Sequence, residues 1–201
     1  MERIINKIFT NEAFFYLFRK LIHKDFKKEK EIIKTNLNFA RQIVVLDFGC
    51  GIGQFSTVFN NDIYYGIDND RICVEFAKKK FKGEFILNKT NKIPFNSETF
   101  DLVLILNTFH HLSDSDISPI LTEVKRVLKK HGKLFVLDVI SVRSQQNPIS
   151  RFMLRMDRGK FARDFEEMRA VLEKQFKVEK LEYIFTALYK YKEYFAILSP
   201  K

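Results

Sequence analysis

Tryptophan is absent from the 201 residues, and cysteine occurs only twice, at Cys50 and Cys73. Two cysteines do not make a disulfide scaffold. One falls in a glycine-rich loop and the other at the start of a predicted helix, so the reading is two free thiols in a reducing, cytoplasmic setting. Glycine and proline are also scarce, with seven and four copies, which excludes a linker-rich or low-complexity chain. No apolar run approaches the ~20 residues of a membrane-spanning helix. A secretory leader is not expected either, because residues 4–9 are broken by Asn6 and Lys7, and Glu12, Arg19 and Lys20 soon follow.

What is present is an ordinary apolar fraction of 46% with 22 phenylalanines, enough to build one core. Lysine and arginine number 35 against 25 acidic residues, a net charge of +10. Such an excess invites nucleic acid or an anionic membrane as partner. Here the basic residues are spread over every segment, whereas phosphate binding needs a clustered patch. Nucleic acid is therefore not the expected partner.

The periodicity changes along the chain. Phe14, Leu17, Phe18, Leu21 and Ile22 fall on one helical face over residues 12–26, and the lysine-rich stretch 24–34 predicts a second, more solvated helix. Residues 1–40 are expected to form an N-terminal helical lid. The lysines flanking its apolar stripe leave peripheral contact with a membrane open. Beyond residue 40, apolar runs at 43–46, 63–67, 84–87, 102–106 and 133–139 alternate with helical stretches at 54–59, 71–81 and 117–129. That alternation predicts a mainly parallel sheet covered on both faces. A last helix over 164–174 precedes two strands, 176–185 and 191–198, whose short link permits only an antiparallel pair. The expected architecture is α/β and Rossmann-like, a seven-stranded, mostly parallel sheet closed by a C-terminal antiparallel hairpin.

Gly49, Gly51 and Gly53 follow the first strand directly. Glycines there allow close backbone approach to a ligand at the start of a helix. A dinucleotide loop of the form G-x-G-x-x-G would need Gly or Ala at position 54, where Gln54 stands. The spacing is instead D-x-G-x-G-x-G from Asp47. Asp68 ends the second strand, where a carboxylate accepts the hydroxyls of a ribose.

VLDFGCGIGQFS, YYGIDND, the IPF of residues 93–95, FDLVLILNTFHHL and LTEVKRVLKKHGKLFVLDV together resemble the successive motifs of class I S-adenosylmethionine-dependent methyltransferases. The similarity is greatest to the small-molecule branch that includes the ubiquinone and menaquinone C-methyltransferases, and it spans residues 40–140 best. It implies a methyltransferase domain over 41–201 that uses S-adenosylmethionine and releases S-adenosylhomocysteine. It places Asp47 near the methionine amino group and Asp68 on the ribose. Phe48, Gly49, Cys50, Gly51, Gly53, Gln54 and Asn69 line the cofactor, and Asn107 lies beside its methionine part. The family's usual adenine-binding acid falls on Lys89, which cannot accept a hydrogen bond. Asn88 or backbone near Thr90 is the expected substitute.

Methyl transfer needs alignment of a nucleophile and, where necessary, removal of a proton. The resemblance sets His110 and His111 at the mouth of the substrate pocket, where an imidazole can act as general base. Asp138, at the end of the fifth strand, is a candidate for substrate contact or for capping Ser141. The basic and apolar stretch that carries Arg151, Arg155, Arg158, Lys160 and Arg163 is expected to roof the pocket, with Arg155 and Arg158 facing an anionic or amphiphilic substrate. The expected substrate is a small or lipid-like metabolite. No metal site is expected, and the oligomeric state is not legible. An RNA or protein methyltransferase, or a non-catalytic cofactor-binding module, stands as the alternative.

Overall fold

The computed structural model describes residues 26–141, 143, 147, 148, 150, 151, 159–186 and 191–201. The amphipathic stretch 12–25 and the two roof arginines, Arg155 and Arg158, lie outside them. The predicted lysine-rich helix appears as α1 (Lys27–Asn36), packed through Phe26, Ile32 and Ile33.

The strands are β1 (Val44–Phe48), β2 (Ile63–Asp68), β3 (Glu84–Leu87), β4 (Phe100–Leu106), β5 (Leu128–Val139), β6 (Phe176–Thr186) and β7 (Tyr191–Pro200). They form one sheet in the order β3-β2-β1-β4-β5-β7-β6. β1 to β5 are parallel to their neighbours, and β7 lies antiparallel between β5 and β6. The predicted architecture is the one observed. Helices α2 (Arg71–Lys80), α3 (Asp114–Val127) and α4 (Phe165–Glu173) complete the described regular structure.

β4 is buried at every position, as an apolar run in the middle of a sheet covered on both faces must be. Alternate residues divide it between two cores. Val103 and Ile105 pack with α3 and α4 on one face, while Leu102, Leu104 and Leu106 pack with α1 and α2 on the other. The amino end of β4 is anchored by Asp101, whose carboxylate accepts from Arg41, Lys129 and the Val44 amide. Burial acts to raise its pKa, but those three bonds outweigh it and hold the group below the usual carboxylate range.

Two boundaries differ from the periodicity for a local reason. α3 begins at Asp114 rather than 117, because Ser113 and Asp116 form a reciprocal capping box that adds a turn. The helix expected after the glycine loop is only a 3-10 turn, Gln54–Val58. Only fourteen residues separate β1 from β2, and the left-handed Gly53 stands at its start.

Leu104→Ala should lower unfolding free energy by about 2–5 kcal/mol, since this fully buried side chain leaves a cavity in the central strand. Denaturant titration with an unchanged m-value is the expected record.

Candidate active site

The carboxyl ends of β1, β2 and β4 meet where the strand order reverses on either side of β1, the place where open α/β sheets bind ligands. The glycine loop is tied there to β2. The amides of Gly49 and Cys50 both donate to the Ile67 carbonyl, at 2.8 and 3.1 Å. Gly51 N–H donates to Asp68 Oδ2 at 2.8 Å, and Gly53 N–H to the Cys50 carbonyl at 3.0 Å. A pyrophosphate cradle needs such amides pointing at its ligand. In this loop four of them are already bonded within the protein, which favours a ligand without phosphate.

The glycines have distinct reasons. A Cβ on Gly49 would meet the Thr108 hydroxyl at 2.6 Å, and one on Gly53 the Phe85 ring at 2.8 Å. At Gly51, φ is +52° and nothing lies within 4 Å of a Cβ position, so the loop presents open space at its middle glycine.

Asp47 is fully buried on β1. Tyr64, two residues along on the neighbouring β2, donates its hydroxyl to Asp47 Oδ2. Burial, less offset by that bond and reinforced by nearby Asp68, raises the Asp47 carboxyl to about 7. Among the described residues Oδ1 of Asp47 has no hydrogen-bond partner, nor do the buried Oε1 of Gln54 and Oδ1 of Asn107. Asn107, just beyond β4, holds a left-handed backbone with φ of +51°, fixed by its amide donating to the Leu137 carbonyl at 2.7 Å. Orphaned buried oxygens of this kind are expensive unless a ligand supplies donors. These three suit an ammonium or hydroxyl-bearing ligand. Asp68 is also raised by burial, against the bonds it receives from the Asp70 and Gly51 amides.

Further out, Asn69 follows Asp68, and Asp70 caps α2 by accepting from Ile72 and Cys73. Cys50 is buried and Cys73 half-buried, and neither is in a disulfide among the described residues. Asn88 does not stand as a lone acceptor. Its amide nitrogen donates to the carbonyls of Thr90 and Lys92, and its oxygen accepts from the Thr90 hydroxyl. The 88–92 turn is thereby a preformed shelf past β3, with Lys89 exposed on it.

His110 and His111 lie on a 3-10 turn (Phe109–His111) after β4, their rings 4.0 Å apart. His110 is buried, and its Nδ1 sits 2.5 Å from Asp138 Oδ1. Asp138 Oδ2 also accepts the His110 amide at 3.1 Å. Asp138 is 1% exposed and is therefore spent on His110. The Ser141 hydroxyl donates to Asp164 instead. A carboxylate at Nδ1 keeps the proton on that nitrogen and leaves Nε2 in its acceptor form.

Three features escaped the sequence reading. Tyr64 carried no assignment, although strand alternation puts residues 45 and 47 on one face beside it. Arg163 was grouped with the roof arginines but points inward. Glu193, buried on β7, accepts from the Thr186 hydroxyl, and burial with nearby Glu29 raises its carboxyl well above the ordinary range. No signal in an isolated sequence separates such a glutamate from a solvated one. Among the described residues no group of three or more metal-ligating side chains occurs, and no helix is long and apolar enough to cross a membrane.

Comparison with known proteins finds methyltransferases. The demethylmenaquinone methyltransferase of Thermotoga maritima is 29% identical over 121 residues, covering 58% of this chain and 52% of that one. The chain thus spans about half the length of the relatives it matches. Magnesium protoporphyrin IX methyltransferase from Synechocystis PCC 6803, solved with bound S-adenosylhomocysteine, superposes with a TM-score of 0.72 at 14% identity over the full length of both chains. The methyltransferase solved with the Trm112 methyltransferase activator of Haloferax volcanii gives a TM-score of 0.76 at 14% identity, over 97% of each chain. Residues 46–136 match the family model of the methyltransferase domain, and the sheet that contains them has the fold of the S-adenosylmethionine-dependent methyltransferases.

Proposed function

We propose that this chain is a cytoplasmic S-adenosylmethionine-dependent methyltransferase acting on a small or lipid-like metabolite. The observation that carries the reading is the set of buried, unpartnered oxygens of Asp47, Gln54 and Asn107 around a glycine loop whose own amides are engaged. Asp47 Oδ1 would take the ammonium of the methionine part, and Asn107 would support it. Asp68 keeps acceptor capacity beside its bond to Gly51 and would hold the ribose hydroxyls. The shelf at Asn88, Lys89 and Thr90 would lie under the adenine. The cofactor supplies a methyl group already activated on a sulfonium.

The chain's own work is alignment and deprotonation. In this reading His110 Nε2 accepts the proton of an attacking hydroxyl, amine or activated carbon, while Asp138 holds the tautomer and stabilises the imidazolium. The His111 ring lies against it at a tilt of 42° and narrows its freedom. The substrate reading draws on the similarity to a demethylmenaquinone methyltransferase and on the apolar and basic composition of residues 151–163. A lid over 1–40, with peripheral membrane contact, belongs to the same proposal.

Asp68→Ala should weaken S-adenosylhomocysteine binding by about 1–3 kcal/mol in calorimetry, and an unchanged affinity would refute the ribose assignment. His110→Asn should leave that affinity intact and lower turnover by roughly 10²- to 10⁴-fold. Release of S-adenosylhomocysteine with candidate acceptors is the assay, and its absence across them would favour a non-catalytic binding module.

Asp47 adds a pH dependence. Its carboxyl, near 7 in the free protein, must be ionised to receive an ammonium, so binding expels a proton. Affinity for S-adenosylhomocysteine should rise from pH 6 to pH 8, with a slope approaching about tenfold per unit below 7. Asp47→Asn should bind weakly and flatten that slope.

A further inference from the structure

One arginine of the basic stretch is turned into the protein. Arg163 is buried, and its guanidinium serves four acceptors. Nε donates to Asp114 Oδ1 at 2.7 Å, and Nη2 to the Leu112 carbonyl at 2.8 Å. Nη1 donates to the carbonyls of Phe109 at 3.1 Å and Phe161 at 2.9 Å. Three of these acceptors belong to residues 109–114, the segment that carries His110. The two segments are also joined directly, because the Phe161 amide donates to the His110 carbonyl at 2.9 Å. The Arg163 carbonyl in turn accepts the Ser141 amide, just past the end of β5 that supplies Asp138.

We infer that Arg163 is the positioning residue for His110, an inference that rests on the reading of His110 as general base. A 3-10 turn of three residues has too few internal bonds to hold an imidazole at a reacting distance. Asp138 fixes the ring at Nδ1 and the His110 amide, but it acts from one side only. The Arg163 fork grips the turn from the other side, at the carbonyls before and after His110. Its planar, five-donor geometry meets these divergent acceptors at once, which a lysine ammonium on a flexible stem cannot do. The charge is also fitting, since the carbonyl end of a helical turn attracts a cation. Arg163 touches neither the glycine loop nor Asp68 in any bond described, so its influence is confined to the acceptor side of the site.

The test uses the full-length protein with Arg163→Lys and Arg163→Gln. His110 Nδ1–H, held against Asp138, should give a far-downfield proton resonance, assigned by its loss in His110→Asn. In Arg163→Gln this resonance should shift or broaden away, and kcat should fall about 10- to 100-fold, the penalty of a displaced catalytic group. S-adenosylhomocysteine affinity should stay within about twofold, as for independent sites. Arg163→Lys should recover only part of the loss. An unmoved resonance, or losses of cofactor affinity and turnover in equal measure, would overturn the assignment. If Arg163→Gln does not fold, Asp114→Ala removes one exposed partner of the fork and must produce the same changes in smaller degree. The resonance reports positioning without turnover, so full activity in His110→Asn would defeat the general-base reading separately.

Discussion

The carbonyl of Ile67 takes the amides of both Gly49 and Cys50, and the next residue, Asp68, takes Gly51. This small cluster of bonds fastens the loop after β1 to the end of β2. It decides the shape of everything around it. A loop so tied needs left-handed backbone at Gly49, Gly51 and Gly53, and it leaves its middle glycine facing open space. It also engages four amides that a phosphate would otherwise draw on, and favours recognition by side-chain oxygens.

Those oxygens are buried at a price. Asp47, Asp68 and Glu193 all carry carboxyls raised by burial, each tempered by a hydrogen bond from a neighbour. They sit at the carboxyl edge of a sheet whose interior is almost entirely Leu, Ile, Val and Phe. The apolar strands supply rigidity, and the edge concentrates polar groups whose partners are incomplete. Low local polarity strengthens whatever bonds a ligand completes there. His110 and Asp138 repeat the pattern on the acceptor side, with a buried pair held by segments from three parts of the chain.

Much of this was legible in order. The apolar runs located every strand, because a run buried on both faces has little room for polar interruption, although β5 begins five residues before its apolar run, at Leu128. Cap chemistry and chain length set the limits of that reading. Ser113 and Asp116 lengthened α3, and the brief connection to β2 cut the expected helix to a single turn. The glycine spacing, Gln54 and Asp68 marked the proposed cofactor end of the site from local sequence alone. The acceptor side was far less readable, because its residues converge from β4, β5 and the segment before α4. Asp138 read as a substrate contact or a cap for Ser141, and the structure bonds it to His110.

By itself the sequence determined the five parallel units, the C-terminal antiparallel pair and the loop at the end of β1, since periodicity and glycine placement are local properties. Only the tertiary structure decided which polar groups are partners. Tyr64 reaches Asp47, Asp138 reaches His110 and Arg163 grips residues 109–114 across separations of 17, 28 and about 50 positions. Such pairings follow from how strands and crossovers bring distant residues together, and no spacing along the chain encodes them.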